Sequence, residues 1–447
     1  MGTGSKATMN RRVGKLQWKS LLRLSGVAAA VILCLLCMYS VLCVGEARAR
    51  ASKSLENGSL VAATDAVQLS PDDPEGYAAR AFSLLNAGEI DLALDDLRRA
   101  VALRHEDYKL WTGLGASLDK KGDTAGALTA LKEAEARAPF YARPHWQAGL
   151  LLQELGRKDE AFKEFRAATL TQPALLPKVT EIAWEAYARD CKSVQAAVDP
   201  RTDQERLALA HFFISNGKPV EALSLIRLVN GLSYYDRQQL LVELLSGRQY
   251  EEAYEVWMMA RKRNASRAPV GTIDDGGFES RQLSDEAGFT WKVNQIAGTN
   301  LTIDDSARSN GNHSLRIDWK GNSDPGEEVV SQLILVEPNT RYQLSFAART
   351  QDLVTGGAPV ITVIDVSQKE EKRLDSSYKV PLGTSSWQNI GFSFTTASST
   401  LAVRIGVRRE SCAQQSCPIF GTLWLDDFSL SKDSGKDSRL EVHEVQS

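Results

Sequence analysis

The feature that most constrains this fold is a 34-residue period in small and turn-forming residues. Gly88, Gly122 and Gly156 follow one another at this spacing, and Pro139 and Pro173 repeat it. Alanines keep the same period at positions 93, 127 and 161 and at positions 100, 134 and 168. Such a period predicts stacked units, each of which covers the apolar face of its neighbour. The alanines suit close helix packing, the glycines suit turns with positive φ, and the prolines suit helix ends.

The string around Trp111 indicates the type of repeat. Trp111, Leu114, Gly115 and Leu118 supply a Trp-x-x-Leu-Gly first helix, and a second helix follows with Ala127, Leu131, Ala134 and Pro139. This pattern resembles the tetratricopeptide repeat family, most clearly over 74–107, 108–141 and 142–175. The resemblance implies an all-α solenoid over 50–262 whose concave face binds a protein partner. Residues 50–73 are interpreted as a half repeat, and the number of repeats in 176–262 stays open. We interpret the tryptophans of this region as core residues: 111, 146, 184 and 257.

An apolar segment precedes the repeats. The 22 residues 24–45 carry no charge, and a helix of that length spans about 33 Å, enough to cross a bilayer. The alternative is a cleaved signal peptide, since Ala47-Arg48-Ala49 is a small-x-small site, although a signal core is usually shorter. We predict a single transmembrane helix that contacts the lipid bilayer.

The charge distribution predicts how that helix is oriented. Residues 1–23 carry six basic side chains and no acid, whereas the whole chain has a net charge of −3. We therefore expect residues 1–23 to be a basic cytoplasmic stub and the bulk of the chain to be periplasmic or extracellular. A net charge near zero also argues against nucleic acid as a partner.

The composition changes after residue 262. Residues 263–272 are interpreted as a linker, and short alternating strands replace the alanine-rich helices over 273–432, with a disordered tail at 433–447. Several strings occur in a fixed order, among them Asp-Gly-Gly-Phe-Glu (275–279), Ser-Leu-Arg-Ile-Asp (314–318) and Gly-Thr-Leu-Trp-Leu-Asp-Asp-Phe-Ser-Leu (421–430). In this order they resemble a carbohydrate-binding module of the galactose-binding-like jelly-roll class, of the family 4 and 9 type. The predicted fold class is therefore multidomain: one transmembrane helix, an all-α tetratricopeptide solenoid and an all-β jelly-roll sandwich.

The second resemblance also implies site residues. That family often holds a structural calcium ion between the first and last strands, and the matching acids are Glu279 and Asp427; the alternative is that both are ordinary solvated acids. For stacking on sugar rings, the candidates are Trp291, Trp319 and Tyr378. Trp387 and Trp424 lie inside apolar alternation, so we expect them in the core.

The predicted orientation would place one pair of cysteines in an oxidising compartment. Cys412 and Cys417 are close enough in sequence to close a small loop, and we predict a disulfide between them. Cys34, Cys37 and Cys43 lie in the apolar segment and act as small apolar residues. Cys191 remains, and we expect it to be buried and reduced.

No nucleotide-binding, zinc-protease or nucleophile-elbow motif occurs, so we predict that the protein is not an enzyme. The leading hypothesis is a membrane-anchored scaffold. Its repeats would bind a protein and its jelly roll a glycan, in cell-envelope assembly or exopolysaccharide export by analogy. The alternative is a pure protein–protein interaction scaffold with a structural β-domain, in which Trp291, Trp319 and Tyr378 are buried. A degenerate glycoside hydrolase is a third alternative, which needs two carboxyl groups about 5–10 Å apart. The adjacent acids Asp304-Asp305 and Asp426-Asp427 do not supply them, because neighbouring residues of a strand point to opposite faces.

Overall fold

A computed structural model describes residues 6–259, 270–280, 283, 287–322, 324–412 and 417–433. The chain divides into two compact units, Met1–Asp199 and Pro200–Ser447. This division differs from the predicted boundary near residue 262, because four helices fall in the same unit as the strands. Most of the predicted linker and nearly all of the predicted tail lie outside the described residues, as does the start of the basic stub.

Helices in pairs make up the first unit. They are α1 (Lys6–Asn57), α2 (Leu60–Leu69), α3 (Pro74–Asn86), α4 (Ile90–Leu103), α5 (Tyr108–Lys121), α6 (Thr124–Arg137), α7 (Ala142–Glu154), α8 (Lys158–Thr171), α9 (Leu176–Ala186) and α10 (Cys191–Val198), with a 3₁₀ turn at Pro173–Leu175. The three predicted repeats correspond to α3/α4, α5/α6 and α7/α8. Their turns contain Gly88, Gly122 and Gly156 at φ of +85°, +88° and +73°, a conformation that favours glycine.

Close approach between paired helices depends on residues without a large side chain. A Cβ atom on Gly149 of α7 would lie 2.6 Å from the Phe165 ring of α8, and one on Gly115 would lie 2.8 Å from Leu131. The alanines of the 34-residue period are fully buried in the same interfaces. The period therefore marks the positions where two helix backbones come closest.

Helix α1 joins the apolar segment to the first helix pair without a break. Its stretch Val27–Asn57 includes an 18-residue window of mean hydropathy 2.7, none of it buried, which has the length and composition of a membrane span and of a signal sequence alike. Further along the same helix, Ala47 and Ala51 are buried against Ala63, Ala66 and Ala79. The end of α1 thus forms a complete pair with α2 rather than the predicted half repeat.

The second unit begins with two further helix pairs, α11 (Asp203–Ser215) with α12 (Pro219–Ile226) and α13 (Tyr234–Ser246) with α14 (Tyr250–Met258). Helix α14 packs on the strand-forming region. Tyr250 Oη donates a hydrogen bond to the Val366 carbonyl at 2.5 Å, and the rings of Tyr254 and Trp257 lie 5.0 and 5.6 Å from that of Phe289. The last helix pair and the β-domain therefore share one apolar interface.

Two antiparallel sheets follow and form a jelly-roll sandwich. The strands are β1 (Lys292–Val293), β2 (Thr299–Asp304), β3 (Ser314–Asn322), β4 (Val330–Leu335), β5 (Arg341–Thr355), β6 (Pro359–Asp365), β7 (Lys372–Ser376), β8 (Gly383–Thr395), β9 (Ala402–Arg409) and β10 (Pro418–Lys432). The first sheet has the order β1-β4-β9-β6-β7 and the second the order β2-β3-β10-β5-β8. Alternate residues of both sheets, such as Ile317, Phe346 and Ile405, fill the space between them.

The structure joins Cys412 and Cys417 in the expected disulfide, with 5.6 Å between their Cα atoms. The bridge closes the connection from β9 to β10. Cys191 is buried in α10, and Cys34 and Cys37 are exposed on α1.

The close contact between Gly149 and Phe165 can be tested by substitution. We expect Gly149→Ala to lower the melting temperature of the helical signal, because a methyl group at 2.6 Å from Phe165 overpacks the pair at a cost of about 1–3 kcal/mol. The matched control is Gly113→Ala, also within a helix, where the added Cβ meets Leu97 at an ordinary 3.6 Å. Thermal unfolding followed by far-ultraviolet circular dichroism measures both, and equal melting temperatures for the two variants would contradict the packing described.

Candidate functional site

Two of the three predicted sugar-stacking residues lie inside the sandwich. Trp291 and Trp319 are 4% and 2% exposed and belong to the core between the sheets. The Trp291 ring contacts those of Phe278 and Phe428 at centroid distances of 5.1 and 4.9 Å. This placement corrects the expectation for both tryptophans, because a ring enclosed by core side chains presents no face to a sugar. Tyr378, between β7 and β8, is 80% exposed.

Trp424, expected in the core, lies on the outer face of the second sheet. It follows Leu423 and precedes Leu425 on β10, and both leucines point into the core, so the alternation of the strand turns Trp424 to the outer face of the second sheet. Its ring is 4% exposed because side chains of the neighbouring strands cover it, rather than because it lies between the sheets. The expectation that Trp424 belongs to the core is therefore corrected. Trp387, on β8, is half-buried.

Two guanidinium groups cover the Trp424 ring. Arg316 of β3 and Arg349 of β5 are both paired with Trp424 in the strand register, and their Cζ atoms lie 5.4 and 5.2 Å from the ring centroid. Distances below about 6 Å over the face of a tryptophan are those of cation–π contacts. Trp424 Nε1 donates a hydrogen bond to Asp304 Oδ2 at 2.8 Å, which fixes the orientation of the ring.

Carboxylates and a hydroxyl complete this surface. Arg316 Nε donates to both oxygens of Asp318 at 3.0 Å, and Thr422 Oγ1 donates to Asp318 Oδ1 at 2.7 Å. We call the outer surface formed by Asp304, Arg316, Asp318, Arg349, Thr422 and Trp424 the Trp424 face. It presents planar guanidinium donors and carboxylate acceptors above a buried aromatic ring, and these donors and acceptors can hydrogen-bond a polyhydroxylated ligand.

The pKa of Asp304 in the Trp424 face is lowered, which favours its ionised form. Burial acts to raise the pKa of Asp304, but hydrogen bonds from Ser306 and from Trp424 Nε1 outweigh it and lower the pKa. The hydrogen bond to the Asp318 carboxylate raises the pKa of Arg316. A carboxylate held in its charged form accepts hydrogen bonds but does not serve as a general acid in glycoside hydrolysis, which needs a raised pKa.

In the described part of the sandwich, Asp426 is the acid whose pKa is raised, and the sequence did not predict its structural role. Burial raises its pKa, since the residue is fully buried, while Oδ2 accepts hydrogen bonds from the Ser309 and Asn310 backbone N–H groups at 2.8 and 3.2 Å. Through these hydrogen bonds, Asp426 of β10 holds the loop that precedes β3. The adjacent Asp427 has φ of +50°, in a region where the β10–β5 register shifts between Asp426 and Ser429.

Glu279, one of the two predicted calcium ligands, accepts hydrogen bonds from the loop that precedes β3. Glu279 Oε1 accepts hydrogen bonds from the backbone N–H groups of Asn312 and His313 at 2.7 and 3.1 Å, and Oε2 lies 3.3 Å from Asn312 Nδ2 and 3.2 Å from His313 Nδ1. These neighbours are nitrogen groups, so Glu279 is held by the loop that precedes β3. The calcium site at Glu279 and Asp427 stays a prediction.

Comparison with known proteins adds two kinds of similar solved structure. MamA is 16% identical over 45% of this chain and 97% of its own, with a TM-score of 0.28. A CBM4 structure is 16% identical over 36% of this chain and 99% of its own, with a TM-score of 0.27. The CBM22-1 xylan-binding domain of Xyn10C from Paenibacillus barcinonensis is 14% identical over 37% of this chain and 97% of its own, with a TM-score of 0.26.

These neighbours are of the two kinds that the sequence resembles, tetratricopeptide-like proteins and jelly-roll carbohydrate-binding modules. Because every one of these TM-scores is below 0.5, the assignment of the fold rests on the helix pairing and strand order given above. No protein-family model matches the chain, and neither does any curated protein.

The Glu279 contacts predict a specific pH dependence. Hydrogen bonds from the Asn312 backbone, and then from His313, lower the pKa of Glu279 to about 2. A depressed pKa stabilises the fold above the unfolded pKa, and this stability is lost as the pH falls towards the folded pKa. We therefore expect Glu279→Gln to lower the melting temperature at pH 6–7, and the difference from the native chain to shrink as the pH falls from about 4.5 to about 2.

The control for this prediction is Glu370→Gln, at an exposed position between β6 and β7. We expect this variant to melt with the native chain at every pH. A Glu279→Gln difference that stays constant from pH 7 to pH 2 would show that the carboxylate charge is not the origin of the stabilisation.

Proposed function

We propose that this chain is a membrane-anchored, non-enzymatic scaffold whose helical repeats bind a protein partner and whose sandwich binds a glycan outside the cytoplasm. A role in cell-envelope assembly or exopolysaccharide export suits this combination. The anchor proposal is supported by the exposed apolar stretch of α1, and the partner proposal by the stacked helix pairs, whose concave surface is the usual binding surface of such arrays.

The single observation that carries the glycan proposal is the Trp424 face. Its aromatic ring is held by Asp304 and covered by two arginines, so a sugar would bond to the guanidinium groups and to the neighbouring carboxylates rather than stack on the ring. Planar guanidinium donors and fixed carboxylates give a ligand directional, charge-assisted hydrogen bonds, and the ring beneath them positions the two guanidinium groups. The non-enzymatic part of the proposal is supported by the fully buried position of Asp426, the acid of the two adjacent pairs whose pKa is raised.

The alternative, a pure interaction scaffold with a structural β-domain, is favoured by one observation. Trp291 and Trp319 are buried in the core, as that hypothesis expects. Tyr378 is 80% exposed, which that hypothesis does not expect. The two hypotheses differ in one measurable property, the binding of oligosaccharides.

Glycan binding tests the proposal directly. We expect the detergent-solubilised full chain to bind a subset of oligosaccharides on a glycan array, and Trp424→Ala to weaken that binding by at least about tenfold, as loss of a central aromatic residue usually does. Tyr378→Ala is the matched control, since this exposed tyrosine lies outside the Trp424 face. No binding to any glycan would favour the pure scaffold, and loss of binding in Tyr378→Ala alone would move the glycan site to the β7–β8 connection.

Topology is tested with a reporter that folds only in an oxidising compartment. We expect alkaline phosphatase fused after Ser447 to be active in a bacterial host, because the basic residues before the span keep the N-terminus in the cytoplasm. The same reporter fused after Arg23, without the apolar segment, serves as the inactive control. An inactive but well-expressed fusion after Ser447 would reverse the proposed orientation.

A further inference from the structure

Three titratable side chains converge where two helical repeats meet. Glu135 lies in the last turn of α6, His145 in the first turn of α7 and Glu164 in the middle of α8. His145 Nδ1 is 2.7 Å from Glu164 Oε2 and 3.7 Å from Glu135 Oε1. The side chains are only 12–19% exposed, and one ligand atom from each lies within 4.8 Å of the others. The cluster is separate from the Trp424 face and plays no part in the proposed glycan binding.

The repeat itself determines which nitrogen of His145 carries a proton. His145 follows Trp111 by one 34-residue period, and Pro139 follows His105 by the same period. Trp111 Nε1 donates a hydrogen bond to the His105 carbonyl at 2.7 Å, and His145 Nε2 lies 3.1 Å from the Pro139 carbonyl. A carbonyl oxygen can only accept, so Nε2 bears the hydrogen and donates as the indole N–H does one repeat earlier. His145 Nδ1 is therefore the atom presented to the two carboxylates.

Two carboxylates around one imidazole nitrogen repel each other, and a cation bound between them would relieve this repulsion. Glu135 Oε1 is buried and has no hydrogen-bond partner within the described part of the chain. Burial, and next the neighbouring charge of Glu164, raise the pKa of Glu135 to about 7. The hydrogen bond to Glu164 raises the pKa of His145, because it favours the protonated ring. Three ligand atoms that face one another in a partly buried space between two repeats are the geometry from which a cation can be bound.

We propose that Glu135, His145 and Glu164 bind one divalent transition-metal ion such as Zn²⁺, through His145 Nδ1 and one oxygen of each carboxylate. One imidazole and two carboxylates are donors that such ions accept, and three protein ligands leave a coordination position for water. The hydrogen bond from Nε2 to the Pro139 carbonyl is the second contact that metal-bound histidines ordinarily make.

Two of the three distances between ligand atoms need only a small adjustment, and the third, between the two carboxylate oxygens, lies within 4.8 Å. Ligand atoms at about 2.0–2.1 Å from a tetrahedral zinc ion lie about 3.3 Å from one another. The 2.7 Å distance from His145 Nδ1 to Glu164 Oε2 must therefore lengthen, and the 3.7 Å distance to Glu135 Oε1 must shorten, by about half an ångström each. Rotation of the carboxylates about their side-chain bonds supplies such shifts without moving a helix.

The bound ion would connect adjacent repeats. Glu135 belongs to the repeat 108–141, whereas His145 and Glu164 belong to 142–175. A metal ion held by both repeats stabilises the folded array, because the ligands are brought together only when the two helix pairs are stacked. The inferred site thus acts as a staple across one inter-repeat interface of the solenoid.

Metal titration of the full chain tests this inference. The untagged, detergent-solubilised protein is titrated at about pH 7.5 with Co²⁺, whose d–d absorption reports the ligands, and the bound Co²⁺ is then displaced with Zn²⁺. We expect one Co²⁺ per chain without thiolate charge-transfer absorption, full displacement by Zn²⁺, and a higher melting temperature with Zn²⁺ than without. Absence of a stoichiometric site, or a thiolate band, would overturn the proposal.

Two variants and a control assign the ligands. His145→Trp introduces the residue of the preceding repeat, so it keeps an N–H donor for the Pro139 carbonyl and removes Nδ1; we expect it to abolish Co²⁺ binding. Glu135→Gln retains the size of the side chain, and we expect it to weaken binding by at least about tenfold. His211→Gln is the control, because His211 Nδ1 contacts one carboxylate, Glu243, at 2.8 Å, and should bind Co²⁺ like the native chain. Unchanged binding in the first two variants would exclude this cluster as the site.

Discussion

The structure depends on one constraint: a single helix pair cannot cover its own apolar faces. Each pair approaches closely through fully buried alanines, and what remains exposed must be covered by the next pair. An array of this kind therefore needs a cover at both ends. In the first unit the end of α1 supplies it, since Ala47 and Ala51 pack against α2 and α3. In the second unit α14 is covered by the strand-forming region through Phe289 and Val366.

This second contact changes how the β-domain is understood. A module on a loose linker would sample many orientations, whereas here aromatic side chains of α14 and a hydrogen bond from Tyr250 join the last helix pair to the sandwich. A Cβ atom at Gly288 would lie 2.7 Å from the Trp257 ring, so the chain passes close to the helix at this point. The sandwich therefore presents its outer surface, including Trp424, in a fixed relation to helices α13 and α14.

Much of the architecture could be predicted from the sequence because periodicity reports burial. The 34-residue spacing gives the three central helix pairs, and alternation gives a two-layer sandwich. Alternation also shows which way Trp424 faces, since Leu423 and Leu425 flank it, whereas apolar neighbours on both sides by themselves favour a core position. Trp319 follows Ile317 by two residues and so shares the inner face. The burial of Trp291 has no such signal, because the residue precedes a strand of only two residues.

The acids of the last strand were harder to assign, and the reason is geometric. Strict alternation would let Asp426 and Asp427 be assigned to opposite faces, but the register shifts between Asp426 and Ser429, and Asp427 has positive φ. A bulge of this kind is decided by contacts with residues far away in sequence, here the loop at Ser309 and Asn310.

The continuity of helix α1 also has a consequence over a long distance. This helix runs unbroken from the apolar stretch into the first repeat. The number of residues between the two therefore fixes the angle of the first repeat about the helix axis relative to the apolar stretch. One residue inserted after Glu46 would turn the first repeat by about 100° relative to the apolar stretch and shift it by about 1.5 Å along the helix axis.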